Sequence, residues 1–311
     1  MPELPDVTIY VEALERHVAG AVLERVRVGS PFVLRSVEPP IGEAAGRVVT
    51  DVRRLGKRVV LGLEPDLFLV VHLMVAGRLR WRKRGAALPK RRGLAAFDFA
   101  TGTVLFTEEG TTHRAGLWVV RGEEALAAQD PGGIDPCGAS LEEFRSVLTR
   151  ERHTLKRTLT DPHAFSGIGN AYSDEILHAA RLSPLQLTTN LDAAEIARLH
   201  DATRRTLEGW TTRLRAEVGD GFPEKVTAFH DGMAVHGRYR APCPACGSPV
   251  QRIRYAENEV NYCATCQTGG RVLADRGLSR LLKADWPRSL DEWEAASGRL
   301  RNSARTRPGS A

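Results

Sequence analysis

Long apolar runs are missing from this chain: nowhere do about 18 apolar residues follow one another, the length a membrane-spanning helix needs. The N-terminus has no charged leader running into an apolar core, so it does not read as a secretory signal. Cysteine is scarce, at five residues, and four of them (Cys243, Cys246, Cys263 and Cys266) sit together late in the chain. That placement makes a poor disulfide framework and points to a metal instead, with Cys137 left over as a plain thiol. No internal repeat is visible. An acidic excess is missing too. Lys and Arg number 44 against 38 Asp and Glu, giving +6 and a pI near 9.3, which suits a polyanionic partner without requiring one.

The 311 residues leave room for two compact domains and a smaller module. In "DVTIYVEALERHVAG", Val7, Tyr10, Val11, Leu14 and Val18 recur at helical spacing and Gly20 follows, predicting an amphipathic helix over about 6–19. Short β-type runs punctuated by Gly and Asp then continue to about residue 122 and suggest a β-sandwich or barrel. From "SLEEFRSVLTRE" onward the period becomes helical. We expect a β-sandwich domain with an N-terminal helix over 1–125, a helical domain over 139–225, a cysteine module over 236–270 and a basic extension over 271–311. The last segment from residue 267 holds nine Lys/Arg and five Asp/Glu, a composition that does not favour a packed core.

Two motifs carry chemistry. "CPAC" and "CATC", separated by sixteen residues that alternate like a hairpin, offer four thiolates to one tetrahedral ion. An all-cysteine set leaves no open position, so the expected zinc is structural, although a redox pair uses the same spacing. Zinc ribbons also occur in proteins that never meet nucleic acid, so the module fixes a fold element only. In "SGIGNAYSDEIL", Gly167 and Gly169 permit close backbone approach just before a helix N-terminus, a place for one phosphate, with Lys156 upstream as a cation. A tight interhelix turn would look the same.

Taken in order, "PELPD" at the start, "RRLGK" ending at Lys57, "SGIGNAYSDEIL", and "VHGR" followed by the two CxxC knuckles resemble the formamidopyrimidine-DNA glycosylase/endonuclease VIII family over about residues 1–267. The resemblance implies an α+β multidomain fold: an N-terminal β-sandwich, a helix–two-turn–helix domain and a zinc finger, with damaged DNA between them. It implies a bacterial, cytoplasmic, nucleoid-associated monomer that excises damaged bases and nicks the strand. Pro2, exposed by loss of Met1, would be the nucleophile, and Glu3 the acid/base. Lys57 would contact a phosphate and assist strand cleavage. His72, Lys156 and Asn170 match phosphate-contacting positions, and Met74 matches a wedge that fills the gap left by a flipped nucleotide.

The chain also departs from the family. "TTHRAG" stands where an arginine and a phenylalanine are usual, which puts His113 and Ala115 at positions that read and replace the orphaned base. Asn258 takes the place of the finger arginine, and Asp6 that of a glutamate. These changes spare the amine, the glutamate and the lysine while altering the lesion-reading parts. The resemblance therefore implies retained glycosylase and lyase chemistry with a shifted substrate range. Two other readings remain at this stage: a weakly catalytic damaged-DNA-binding protein of the same fold, and a zinc-ribbon protein acting on RNA or another protein.

Overall fold

The computed structural model describes residues 1–295 apart from 111–112, 225, 228, 256–257, 275–285, 288 and 294, with backbone only at 255 and 258. The described residues form two units. One contains Met1–Val147, Asp161–Gly169 and Arg204–Ala228; the other contains Leu148–Thr160, Asn170–Thr203 and the chain from Phe229 onward.

The first unit opens with α1 (Leu4–Val18), whose Pro5 lies in the first turn, where a missing N–H costs no helical hydrogen bond. Val7, Tyr10, Leu14 and Val18 are fully buried, as their spacing predicts. Nine strands follow: β1 (Val22–Leu23), β2 (Arg25–Val28), β3 (Arg47–Leu55), β4 (Arg58–Leu63), β5 (Leu67–His72), β6 (Gly77–Arg82), β7 (Gly93–Phe99), β8 (Gly102–Glu108) and β9 (Gly116–Arg121). They build two antiparallel sheets, ordered β1-β3-β4-β5-β9 and β2-β7-β8-β6. Their inner faces share one core with α1: Val59, Leu61, Leu69, Val71, Leu117 and Val119 come from one sheet, and Phe97, Phe99, Val104 and Phe106 from the other. This is a β-sandwich.

β4 departs from the alternation of a half-exposed strand, because both of its faces are covered. Val60, with Phe68, Val70 and Val120, points away from the main core and packs under Leu126 of α2 (Glu123–Ala127). The helical elements are α3 (Leu141–Thr149), α4 (Leu155–Thr160), α5 (Asn170–Ala179) and the long α6 (Ala193–Val218).

In the second unit, β10 (Gln251–Tyr255) and β11 (Asn258–Tyr262) form an antiparallel hairpin, followed by α7 (Ala264–Thr268). Ile253, Val260, Tyr262, Ala264 and Leu273 form its apolar cluster, with Leu185 and Leu290 packed against it. The basic extension, whose composition does not favour packing, thus contributes to this cluster: Arg271 pairs with Ser289 in an antiparallel bridge and places Leu290 there. Most of residues 271–311 lies outside the described residues.

Candidate active site and cysteine cluster

The N-terminal segment is drawn into the first unit. The Leu4 N–H donates to the Gly167 carbonyl at 2.9 Å, and the Glu3 N–H donates to the Asp6 carboxylate at 2.8 Å. Asp6, one methylene shorter than the family's usual residue, therefore closes the first turn of α1 from a buried position. Glu3 is only 2% exposed, and its carboxylate accepts the Gly169 N–H at 2.7 Å. The two glycines do allow close approach, and the groups that approach belong to the chain itself. A Cβ on Gly169 would stand 2.5 Å from Glu3 Cδ, and one on Gly167 would stand 2.8 Å from Leu4 Cβ.

The terminal amine, here that of Met1, is held below the ordinary value of 8.0 by burial. Glu3 and Asp6 oppose that shift, and Arg78 and Lys57 add to it. Lys57 lies in the two-residue turn between β3 and β4, beside Gly56 at φ 60°. Arg78, which the sequence analysis does not single out, donates to the Gly77 carbonyl at 2.7 Å and to the Val75 carbonyl at 3.3 Å. It clasps the turn between β5 and β6.

His72 ends β5, and its Nδ1 accepts the Met74 N–H at 3.1 Å. Burial, then the Arg58 and Lys57 charges, push its imidazole down to about 4. The ring is therefore neutral at physiological pH and presents Nε2 as a donor. Met74 occupies the left-handed region at φ 50° and is partly buried, whereas its neighbour Val75 is 64% exposed at the turn's tip. Sequence reading singles out Met74 and passes over Val75, because exposure at a tight turn is not visible in residue type.

His113 is on the loop between β8 and β9 with its side chain 61% exposed. Its Nδ1 lies 3.5 Å from Glu108 Oε2. Glu108 Oε1 accepts the backbone N–H groups of Arg114 and Ala115 at 3.0 and 3.1 Å, folding the loop inward. Ala115, at the position expected to carry a wedge, is consequently part of the sandwich core at 2% exposure.

In the second unit, Lys156 is buried, and its ammonium donates to Asp174 and to the Asn170 carbonyl, both at 2.6 Å. The cation expected to face a phosphate is already partnered. Asp174 also binds His236 Nδ1 at 2.8 Å and the Asn261 N–H at 3.1 Å. Glu175 takes the N–H groups of Ala234, Val235 and His236 at 2.6, 2.9 and 2.9 Å. Two adjacent carboxylates in an otherwise buried helix were the available signal for this role. Asn170 donates its amide to the Glu259 carbonyl at 2.9 Å. Asn258 opens β11, and its side chain lies outside the described residues.

The sulfurs of Cys243, Cys246, Cys263 and Cys266 all lie within 4.8 Å of one another. Tetrahedral zinc with bonds of about 2.3 Å holds its sulfurs roughly 3.8 Å apart. Cys243 and Cys266 stand at 3.9 Å and Cys246 and Cys263 at 3.4 Å, so the set fits one ion. The Cys266 N–H donates to Cys263 Sγ at 3.5 Å, and His178 Nε2 approaches Cys243 Sγ at 3.3 Å, the kind of support thiolates receive around a metal. Among the described residues, no helix is long and apolar enough to cross a membrane.

Residues 1–113 match the model of the formamidopyrimidine-DNA glycosylase N-terminal domain, and residues 133–212 match that of the H2TH domain of the same glycosylases. A formamidopyrimidine-DNA glycosylase of Desulforamulus reducens is 32% identical over 278 residues, covering 86% of this chain and 99% of that protein. An uncharacterized formamidopyrimidine-DNA glycosylase-like protein of Mycobacterium tuberculosis is 40% identical over 151 residues, covering 49% of this chain and 94% of that one. A Lactococcus lactis Fpg solved with abasic-site DNA shares the fold at a TM-score of 0.75 and 21% identity, covering 86% of this chain and 99% of that one.

Proposed function

The chain belongs to the formamidopyrimidine-DNA glycosylase family, and from that premise we propose that it is a bifunctional DNA glycosylase and AP lyase of base excision repair. The observation that carries this reading is the terminal amine, shifted below its ordinary value by burial and grouped with Glu3, Asp6, Lys57 and Arg78. An amine so shifted is neutral in a larger fraction at pH 7, and only the neutral form is a nucleophile. With Met1 removed, the terminal amine is that of Pro2, a buried residue that adjoins Glu3.

Its lone pair forms a bond to C1′ of the damaged nucleotide as the bond from C1′ to the base breaks and the base leaves with that electron pair. The proton of the attacking amine passes to Glu3, which delivers it to O4′; the nitrogen lone pair then expels O4′, so the sugar ring opens and the nitrogen is left as an iminium. The iminium acidifies the C2′ proton. Loss of that proton forms a C2′–C3′ double bond and expels the 3′ phosphate. Lys57 neutralises the phosphate charge that develops, and the His72 Nε2–H donates to a neighbouring phosphate. The β5–β6 turn, with Met74 and the exposed Val75, enters the space a flipped nucleotide vacates. Asn170 and Asn258 belong to the DNA-facing part of the second unit, and Lys156, expected from the resemblance to meet a phosphate, instead supports that part from within through Asp174 and the Asn170 carbonyl. Damaged DNA is the partner, and the chain acts as a monomer.

Cys243, Cys246, Cys263 and Cys266 hold one structural zinc, which stabilises the finger hairpin and takes no part in the reaction. A specific observation favours a second reading, a damaged-DNA-binding protein with feeble catalysis: Ala115 is buried in the core and cannot wedge a stack open. Borohydride reduction in the presence of abasic DNA separates the two. The glycosylase/lyase gives a covalent adduct that Pro2→Gly abolishes. The binding protein gives none while its N-terminal sequence begins at Pro2.

A further inference from the structure

Eight of the sixteen residues from 78 to 93 are Lys or Arg, and none is Asp or Glu. Half of these cations are matched by acids from other elements. Arg82 binds Glu224, Arg84 binds Glu24, and Arg80 and Arg92 share Glu109. Lys83, Lys90 and Arg91 are exposed and have no acidic partner among the described residues. The loop over 83–92 joins β6 to β7 by running from one end of β8 to the other: Arg82 pairs with Thr103, and Gly93 with Thr107. It is held down on the way, by Arg27 donating to the Ala86 carbonyl at 2.7 Å and by Thr103 accepting the Gly85 N–H at 2.9 Å. At the end of the loop the Gly93 N–H donates to the Pro89 carbonyl at 2.8 Å, closing a turn that carries Lys90, Arg91 and Arg92. The Arg92 carbonyl accepts the Glu108 N–H at 2.9 Å, which ties this turn to the end of β8. Its backbone is thus fixed, and a ligand met by Lys90 and Arg91 has only their side chains to order.

Thr107 pairs with Gly93 on one side and with Arg78 on the other. With strands about 4.8 Å apart, the turn begins about 10 Å from Arg78, the cation whose charge acts on the terminal amine. A DNA duplex carries one charge per about 1.7 Å of its axis, so 10 Å of it offers about six phosphates. DNA engaged at the terminal amine therefore brings phosphates within reach of two long cationic side chains at that distance. We infer that the turn over 89–93 is an accessory grip on the DNA backbone, in which Lys90 and Arg91 neutralise phosphates of the duplex beside the damaged nucleotide. Phosphate contacts carry no sequence information, so the grip adds affinity for damaged and undamaged duplex alike. Arg92, bound to Glu109, positions the turn. This inference rests on the DNA-handling role proposed above and extends the surface that serves it.

Binding is measured by fluorescence anisotropy between about 50 and 200 mM salt, on a duplex carrying a stable abasic analogue and on the same duplex undamaged. The double variant Lys90→Ala/Arg91→Ala is expected to lower the slope of log K against log salt by about 2, one for each phosphate contact. It should weaken both duplexes by the same factor, at least about tenfold at 100 mM salt. Lys90→Arg/Arg91→Lys keeps both charges and the wild-type slope. Lys83→Ala, at the opposite end of β8, removes an equally exposed charge and leaves the slope unchanged, which separates a located grip from the overall charge of the chain. An unchanged slope in the double variant, or the same drop per charge in Lys83→Ala, overturns the inference. Borohydride trapping on saturating natural abasic DNA, run in parallel, reports the lyase reading separately. An adduct with an unchanged slope removes the grip, and a lowered slope without an adduct in the wild type removes the lyase.

Discussion

Glu3 shows how little freedom the N-terminal corner has. Its backbone N–H is held by Asp6 and its carboxylate by the Gly169 N–H, so both ends of the residue are fixed. Glu3→Gln preserves the size and the Gly169 contact while removing the proton transfer, and we expect base release to slow by about 10²–10⁴ with the melting temperature little changed. Gly169→Ala places a methyl 2.5 Å from Glu3 Cδ; we expect a stability loss of about 1–3 kcal/mol in urea titration together with loss of excision. His72 provides a pH signature. Its ordinary value of 6.5 applies to the unfolded chain, and the folded value is about 4. Unfolding therefore takes up a proton between those limits. The contribution is complete above about 6.5, declines as pH falls, and is gone below 4, for a total of at most about 3 kcal/mol. Stability of His72→Gln should lack that portion of the slope. At this scale the sequence is only partly legible. Pro2, Glu3 and Lys57 stand in motifs readable along the chain, but the Glu3–Gly169 bond joins residues 166 apart, and no local pattern announces it.

At the level of elements, α1 and the four cysteines are where sequence and structure agree most closely, since helical spacing and CxxC spacing are both local signals. β4 is less legible, because a strand covered on both faces loses its alternation. The loop before β9 is the least legible. "TTHRAG" shows a missing aromatic side chain, yet only the fold shows that Glu108 pins the loop and takes Ala115 into the core. The attachment of α5 to the hairpin is similarly hidden, carried by Asp174 and Glu175 through contacts about 60 to 90 residues away. Asp174→Asn leaves the buried Lys156 ammonium without its counter-charge. We expect a loss of about 3–5 kcal/mol in chemical denaturation, partly restored when Lys156→Met is added.

Over the whole molecule, the residues proposed to carry the reaction, Pro2, Glu3 and Lys57, lie in the first unit and the cysteine cluster in the second. Strong chelation should release one zinc per chain, seen with a colorimetric indicator, and melt the hairpin by circular dichroism. The account as a whole stands on the N-terminal nitrogen. The most direct measurement is mass spectrometry of the borohydride-reduced adduct with abasic DNA after proteolysis. The account predicts that the sugar remnant sits on a peptide beginning at Pro2. A remnant on Lys57 or another lysine, or efficient strand cleavage by a chain that retains Met1, would contradict it.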